Sequence, residues 1–162
     1  MRKIVGLTFL LTLIIWIVAA SGVGLSRPSP DAAKGLIGTW RLVSMTRDGK
    51  TDPNRGPHPT GLIYYDGTGH MAVQIMPDRE RPKYAGTEPT PDEAKAAITG
   101  YIAYFGTYTI NEREGTITHH RMGNINPSSP IDVVRRYEFP SDDRLILRPV
   151  ENQDELTWER IK

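Results

Sequence analysis

The chain has 162 residues, with 20 lysines and arginines against 19 aspartates and glutamates, and a formal net charge of +1. This length suits one domain with a substantial core. The charge balance offers no basic stripe for a phosphate backbone, so nucleic acid is not expected as a partner. The absence of cysteine excludes disulfides, thiolate metal sites and cysteine nucleophiles.

The first 21 residues are typical of a targeting segment. Arg2 and Lys3 are followed by an uncharged apolar stretch over residues 4–20, and small residues follow at 19–22. This pattern predicts a cleaved signal peptide and a secreted or periplasmic location. The alternative is an uncleaved anchor over residues 4–20, with the domain outside the cytoplasm and no other membrane contact.

Residues 22–34 are rich in Ser, Gly, Pro and Asp, which predicts a linker before a folded domain at 35–162. From Leu36 the apolar residues alternate, since Leu36, Gly38, Trp40 and Leu42 share one face. This period of two predicts a first strand.

Further strands are predicted by short alternating or apolar runs between turns. A hairpin turn at residues 66–69 (Asp-Gly-Thr-Gly) joins two of them. The predicted strands after the first cover residues 61–66, 70–76, 106–111, 116–122, 131–139, 145–150 and 155–161.

One helix is predicted between the third and fourth strands, over residues 90–105. Thr90 is a suitable N-cap, Pro91 suits the first helical position, and Glu93 completes a capping box. Apolar residues then recur at helical spacing up to Phe105, and Gly106 is predicted to end the helix.

Eight short strands with short connections favour an all-β fold, an antiparallel up-and-down barrel. Trp40 on the first strand and Arg160 on the last predict a closed floor, with the guanidinium on the face of the indole. A barrel that is closed at one end forms a cup. Its expected partner is a small hydrophobic or amphipathic molecule.

Seven segments carry a further signal, at residues 36–43, 61–65, 71–74, 101–108, 115–120, 134–138 and 156–160. In this order they resemble the bacterial and fungal lipocalin-like domain family, over residues 35–161. The resemblance implies a ligand-binding barrel, and the biosynthetic setting of some fungal relatives implies occasional isomerase or cyclase roles. In the secreted lipocalins the helix follows the eighth strand, whereas here it falls where it would cover the cup.

Arg135 is the foremost candidate binding residue, because the alternation of residues 131–139 directs it into the barrel with Val133 and Tyr137. A buried arginine is costly unless it is paired. Two interpretations remain: a structural arginine satisfied by carbonyls or a carboxylate, or an anchor for the anionic group of a ligand.

His119 is expected to face inward with Ile117, either as hydrogen-bonded filling or as a binding-site residue that acts as a general base or a polar contact for the ligand. Tyr64, Tyr108 and Tyr137 are further candidates for the wall of a cavity, although each also suits simple core packing. Neighbouring histidines on a strand face opposite sides, so His119 and His120 cannot bind one metal together. Neither a metal nor a cofactor is predicted.

Two functional hypotheses follow from these residues. The first is an exported protein that binds a small apolar or amphipathic molecule in the barrel, because no known catalytic motif is present. The alternative is an isomerase or cyclase in which His119 and a tyrosine act as acid and base inside the cavity.

Overall fold

The computed structural model describes residues 32–162. The predicted targeting segment and residues 22–31 of the predicted linker lie outside the described residues. The described chain forms α1 (Ala32–Leu36), β1 (Gly38–Thr46), β2 (Thr60–Tyr65), β3 (His70–Met76), α2 (Pro91–Ile98), β4 (Ile102–Asn111), β5 (Thr116–Asn124), β6 (Asp132–Ser141), β7 (Arg144–Pro149) and β8 (Glu155–Arg160).

The eight strands form one closed barrel. Each strand pairs antiparallel with the next in the chain, and β1 also pairs with β8, which closes the sheet. Closure leaves no unpaired sheet edge. The predicted up-and-down barrel is confirmed, including the position of α2 between the third and fourth strands.

Side chains of alternating residues fill the barrel. In β3, for example, Met71, Val73 and Ile75 are buried while the residues between them are exposed. This period of two is what a strand with one face on the core requires. Similar alternation along the other strands, interrupted in β1 by a register shift between Leu42 and Ser44, gives one continuous core that includes Trp40 and Trp158.

The floor of the barrel is the end at which β1 begins. Trp40 is fully buried, its indole Nε1 donates to the carbonyl of Leu36 at 2.9 Å, and the Arg160 guanidinium lies 4.0 Å from the indole centroid. Arg160 also donates to the carbonyls of Gly35 and Ile37. The guanidinium therefore ties α1 to β8 across the indole and closes this end.

The position two residues before Trp40, Gly38, requires a glycine. Its φ is +130°, a conformation that side chains disfavour, and a Cβ there would lie 2.9 Å from Arg160 Nη1. The first strand starts at Gly38, whereas the alternation predicted a start at Leu36. Leu36 is instead the last residue of α1, and it is buried from that position.

Helix α2 begins as predicted but ends earlier. The Thr90 hydroxyl accepts from the Glu93 amide and the Glu93 carboxylate accepts from the Thr90 amide, so the capping box is complete. The helix ends at Ile98, before Gly100 at a φ of +76°. The prediction of a helix to Phe105 is wrong, because residues 102–105 pair with β3. The spacing of the apolar residues in this stretch fits both the period of a helix and the period of a strand.

No side chain of α2 is buried. The helix is attached through its neighbouring loop, since Arg79 donates to the carbonyl of Thr99 and Arg81 donates to that of Ala97. Within the described residues, no helix is long and apolar enough to cross a membrane.

Candidate functional site

A cavity of about 230 Å³ occupies the barrel interior at the end opposite the floor. Its inner wall is apolar and comes from several strands, with Ile63, Val73 and Leu156 among the lining residues. Its mouth lies between the loops at residues 47–59, 125–131 and 150–154. No residue of α2 lines it. The sequence predicted that the helix would cover the opening of the barrel, but α2 makes no contact with this cavity.

Arg135 lies in the wall of the cavity and is only 8% exposed. Its place on β6, opposite Ile117 on β5 and Pro149 on β7, directs the side chain inward as the alternation predicted. Among the described residues it has no hydrogen-bond acceptor and no carboxylate partner, and its Nη1 atom is buried without a partner. A buried charge in this state is costly.

Two further donors line the same cavity. Arg121 lies with its guanidinium 4.4 Å from the ring centroid of Tyr104. Its Nη1 donates to the carbonyl of Pro130 at 3.2 Å, but its buried Nε has no acceptor among the described residues. Trp158 is fully buried and its indole Nε1 is also without an acceptor there. The interior therefore presents hydrogen-bond donors and positive charge that the described protein does not satisfy.

The sequence alone did not identify Arg121 or Trp158 as part of the site. Arg121 follows Ile117 and His119 in the same alternation, so the signal was present for it. Trp158 falls within the predicted strand 155–161, and nothing in the sequence indicated that its indole would reach a cavity.

His119 is fully buried between two tyrosines. Its Nε2 is 2.8 Å from the Tyr65 hydroxyl and its Nδ1 is 2.9 Å from the Tyr104 hydroxyl. Burial, followed by the positive charges of Arg135 and Arg121, lowers the pKa of His119 well below its usual value. The imidazole is thus neutral, with both nitrogens engaged, and it does not line the cavity.

The three predicted tyrosines lie in different places. Tyr64 is on the outer face of β2 and is 45% exposed, so its predicted place in the cavity wall is corrected. Its neighbour Tyr65 is the buried one. Residues 61–65 are apolar or aromatic on both faces, and alternation alone does not decide which tyrosine points inward.

Tyr108 and Tyr137 lie on the inner side but outside the cavity wall. The Tyr108 hydroxyl donates to the carbonyl of Asp66 at 2.7 Å, and its ring meets Tyr65 edge-on. The Tyr137 hydroxyl is buried with no partner among the described residues, and burial raises its pKa. Of the five residues predicted to bind a ligand, only Arg135 lines the cavity directly.

An ion-pair cluster stands at the mouth of the cavity. Asp52 is 1% exposed and pairs with Arg47 at 3.0 Å and with Arg55, both of which line the cavity. Its carboxylate also accepts from the amide of Asn54. Arg47 and Arg55 share the one carboxylate of Asp52 as an ion-pair partner, whereas Arg135 and Arg121 have no carboxylate partner among the described residues. The cluster depends on contacts within a long loop, which no periodicity signals.

The remaining histidines are not brought together. His120 is on the outer face, where its Nδ1 is 2.8 Å from Asp132 and its Nε2 is 3.0 Å from the Thr109 hydroxyl. His70 bonds to Thr68 in the hairpin turn. Within the described part of the chain, no group of three or more His, Asp or Glu side chains is placed to hold a metal ion.

A larger groove of about 730 Å³ lies outside the barrel, between residues 79–86 and α2. Its arginines Arg79 and Arg81 already donate to helix carbonyls. Its wall is largely exposed, with Tyr84 at 43%. The barrel cavity is the better candidate site, because it contains buried donors, on Arg135 and Trp158, that have no partner among the described residues.

The fold is a small closed β-barrel with an interior cavity, which is the architecture of a binding-type protein in general. The chain matches the family described as "Lipocalin-like domain" over residues 37–161, and it belongs to that family. Among solved structures it is similar to a redesigned β-barrel, at 14% identity and a TM-score of 0.44, covering 81% of this chain and 96% of that one. A comparison with curated proteins gave no match.

Proposed function

We propose that this lipocalin-like domain binds a small amphipathic molecule in the barrel cavity, with an anionic head against Arg135. The observation that carries the proposal is the state of Arg135, which is 8% exposed, in the cavity wall, and without an acceptor or carboxylate among the described residues. A structural arginine would have such a partner. The geometry therefore favours the ligand anchor over the structural interpretation.

The volume of the cavity limits the size of the ligand. About 230 Å³ corresponds to roughly eight water molecules at about 30 Å³ each. This is below the roughly 300–1,000 Å³ of sites for drug-sized ligands. Molecules of the size of hexanoate or benzoate fit this limit, with the hydrocarbon part against Ile63, Val73 and Leu156.

The alternative of an isomerase or cyclase has less support. Both nitrogens of His119 are engaged by tyrosines, and the imidazole does not line the cavity. A general base must come within hydrogen-bond reach of the proton that it removes. Tyr104, which engages Nδ1 of His119, lines the cavity in place of the imidazole.

We also propose that the domain works outside the cytoplasm, as a secreted or periplasmic protein or on an N-terminal anchor. The support is the sequence of residues 1–21 alone. The intact mass of the protein recovered from an exporting host would show whether the segment has been cleaved.

Thermal melts with matched acids and esters test the binding proposal. The full chain is melted with hexanoate, benzoate and palmitate, and with their methyl esters. We expect the two small acids to raise the melting temperature, because a ligand that binds only the folded state stabilises it. The esters lack the charge, and palmitate exceeds the cavity, so both should have little effect.

Two variants make the test specific to the buried charge. Arg135→Gln should abolish the stabilisation by the small acids, because the charge-assisted contact is lost. Arg136→Gln is the matched control, since Arg136 is the next residue on the same strand and is exposed on the outer face. Equal responses to acid and ester, or equal responses of the two variants, would contradict the proposal.

A further inference from the structure

The Tyr65 hydroxyl fixes the direction of a buried hydrogen-bond chain. Tyr65 is fully buried, and within the described residues its hydroxyl has one partner, His119 Nε2 at 2.8 Å. A buried hydroxyl hydrogen without an acceptor carries a large desolvation penalty. The hydroxyl of Tyr65 therefore donates to Nε2, and Nε2 carries no hydrogen.

This direction determines the tautomer of His119. A neutral imidazole carries a single N–H, and burial together with Arg135 and Arg121 keeps the pKa of His119 low enough for the neutral form. The hydrogen is therefore on Nδ1, which donates to the Tyr104 oxygen at 2.9 Å. The opposite direction would leave the hydrogen of Tyr65 buried without an acceptor.

Tyr104 is the end of the chain that meets the cavity. Its oxygen already accepts from His119, and its own hydrogen has no acceptor among the described residues. Tyr104 lines the cavity, together with Arg121 on the face of its ring. The hydrogen bonds in such a chain polarise one another, so the terminal hydroxyl is a stronger donor than an isolated phenol.

We propose that Tyr104 donates a hydrogen bond to the head of the ligand, and that this head is a carboxylate. This inference rests on the proposed function and narrows its ligand class. The polar groups on the strands that line the cavity, on Arg121, Arg135, Trp158 and Tyr104, offer donors. The acceptors of the lining, on Glu151, Asn152 and Asp154, belong to the loop at the mouth. A carboxylate only accepts hydrogen bonds, so it can pair with each of these donors. The NH₂ group of a carboxamide is itself a donor and cannot accept from them.

Calorimetric titration of benzoate and benzamide tests the ligand class, since the two molecules are nearly identical in shape. The wild-type full chain should bind benzoate at least tenfold more tightly than benzamide. Tyr104→Phe keeps the ring beside Arg121 and removes the donor, so benzoate affinity should fall about tenfold. Benzamide affinity should change little.

Tyr108→Phe is the matched control. Its hydroxyl donates to the carbonyl of Asp66 and its ring is not part of the cavity wall, so benzoate affinity should be unchanged. If Tyr104→Phe binds benzoate as tightly as the wild type does, the inference is overturned while the proposed function stands. If neither benzoate nor hexanoate binds the wild type, the proposed function fails and this inference fails with it.

The ring nitrogens of His119 provide a readout that needs no ligand and no variant. In ¹⁵N-labelled wild-type protein their chemical shifts should show hydrogen on Nδ1 and none on Nε2. Hydrogen on Nε2 would overturn the inference, because Tyr104 would then donate to His119 and present only an acceptor to the cavity.

Discussion

Arg135 shows how one residue can oppose stability and support binding. The residue is 8% exposed, its Nη1 is buried, and it has no partner among the described residues, so folding withdraws most of the side chain from water without an ion pair to compensate. Buried polar groups without a partner are uncommon in native proteins, and a functional role is one explanation for those that occur. Arg135 should therefore affect the free energy of unfolding even when no ligand is present.

Replacement of Arg135 by methionine should stabilise the ligand-free barrel. Arg135→Met keeps a long side chain but removes the buried charge, so the free energy of unfolding should rise by about 1–2 kcal/mol. Urea unfolding of the wild type and the variant measures the difference. A loss of about 3–5 kcal/mol would instead mean that Arg135 satisfies a buried carboxylate.

His119 makes the stability of the barrel depend on pH. The unfolded chain binds a proton at this residue near the ordinary pKa of 6.5, whereas the folded pKa is well below that value. Between these two values the unfolded state carries more protons, so acid favours unfolding. The contribution is fully present above pH 6.5 and is lost as the pH falls below it.

The free energy of unfolding should therefore fall below pH 6.5, by at most about 1.4 kcal/mol per pH unit from this residue. Urea unfolding at pH 7.5, 6.5 and 5.5 measures the slope. His119→Gln should flatten the slope between pH 6.5 and 5.5, whatever its effect on stability at pH 7.5. An unchanged slope in the variant would show that His119 is not responsible.

At the scale of elements, the pairing of β4 with β5 contains a bulge that depends on one glycine. The register shifts between Phe105 and Gly106, and a Cβ on Gly106 would lie 1.9 Å from the carbonyl oxygen of His120. Bulges increase local twist and redirect side chains. This one lies between Tyr104, which lines the cavity, and Tyr108, which is nearer the floor.

Gly106→Ala should therefore destabilise the barrel by about 3 kcal/mol or more, because the clash is with backbone that cannot move aside. Gly67→Ala is the control, since its nearest contact would be Ile37 Cδ1 at 3.7 Å, and it should change stability by less than about 0.5 kcal/mol. Chemical denaturation of both variants makes the comparison. Similar small effects would mean that the strands can accommodate a Cβ at the bulge.

At the scale of the whole molecule, the sequence was sufficient for the barrel and for part of the site. Period-two alternation placed Arg135 and His119 inside, and turn and capping residues placed the hairpin at 66–69 and the start of α2. These signals are local. They depend only on neighbours along the chain, so a single sequence contains them.

The parts that the sequence did not predict depend on contacts between distant segments. The end of α2 was misplaced because residues 101–105 suit a helix and a strand equally, and pairing with β3 decides between them. The Asp52 cluster and the missing partner of Arg135 are properties of the assembled barrel. Alternation predicts a direction for a side chain but not what it meets there.

Native mass spectrometry of the full chain, purified gently from the cells that produce it, tests the central claim most directly. We predict that the wild type retains a small carboxylic acid that fits about 230 Å³, and that Arg135→Gln loses it while Arg136→Gln keeps it. A retained neutral molecule, or an acid held equally by all three proteins, would contradict the claim that Arg135 anchors an anionic ligand inside this barrel.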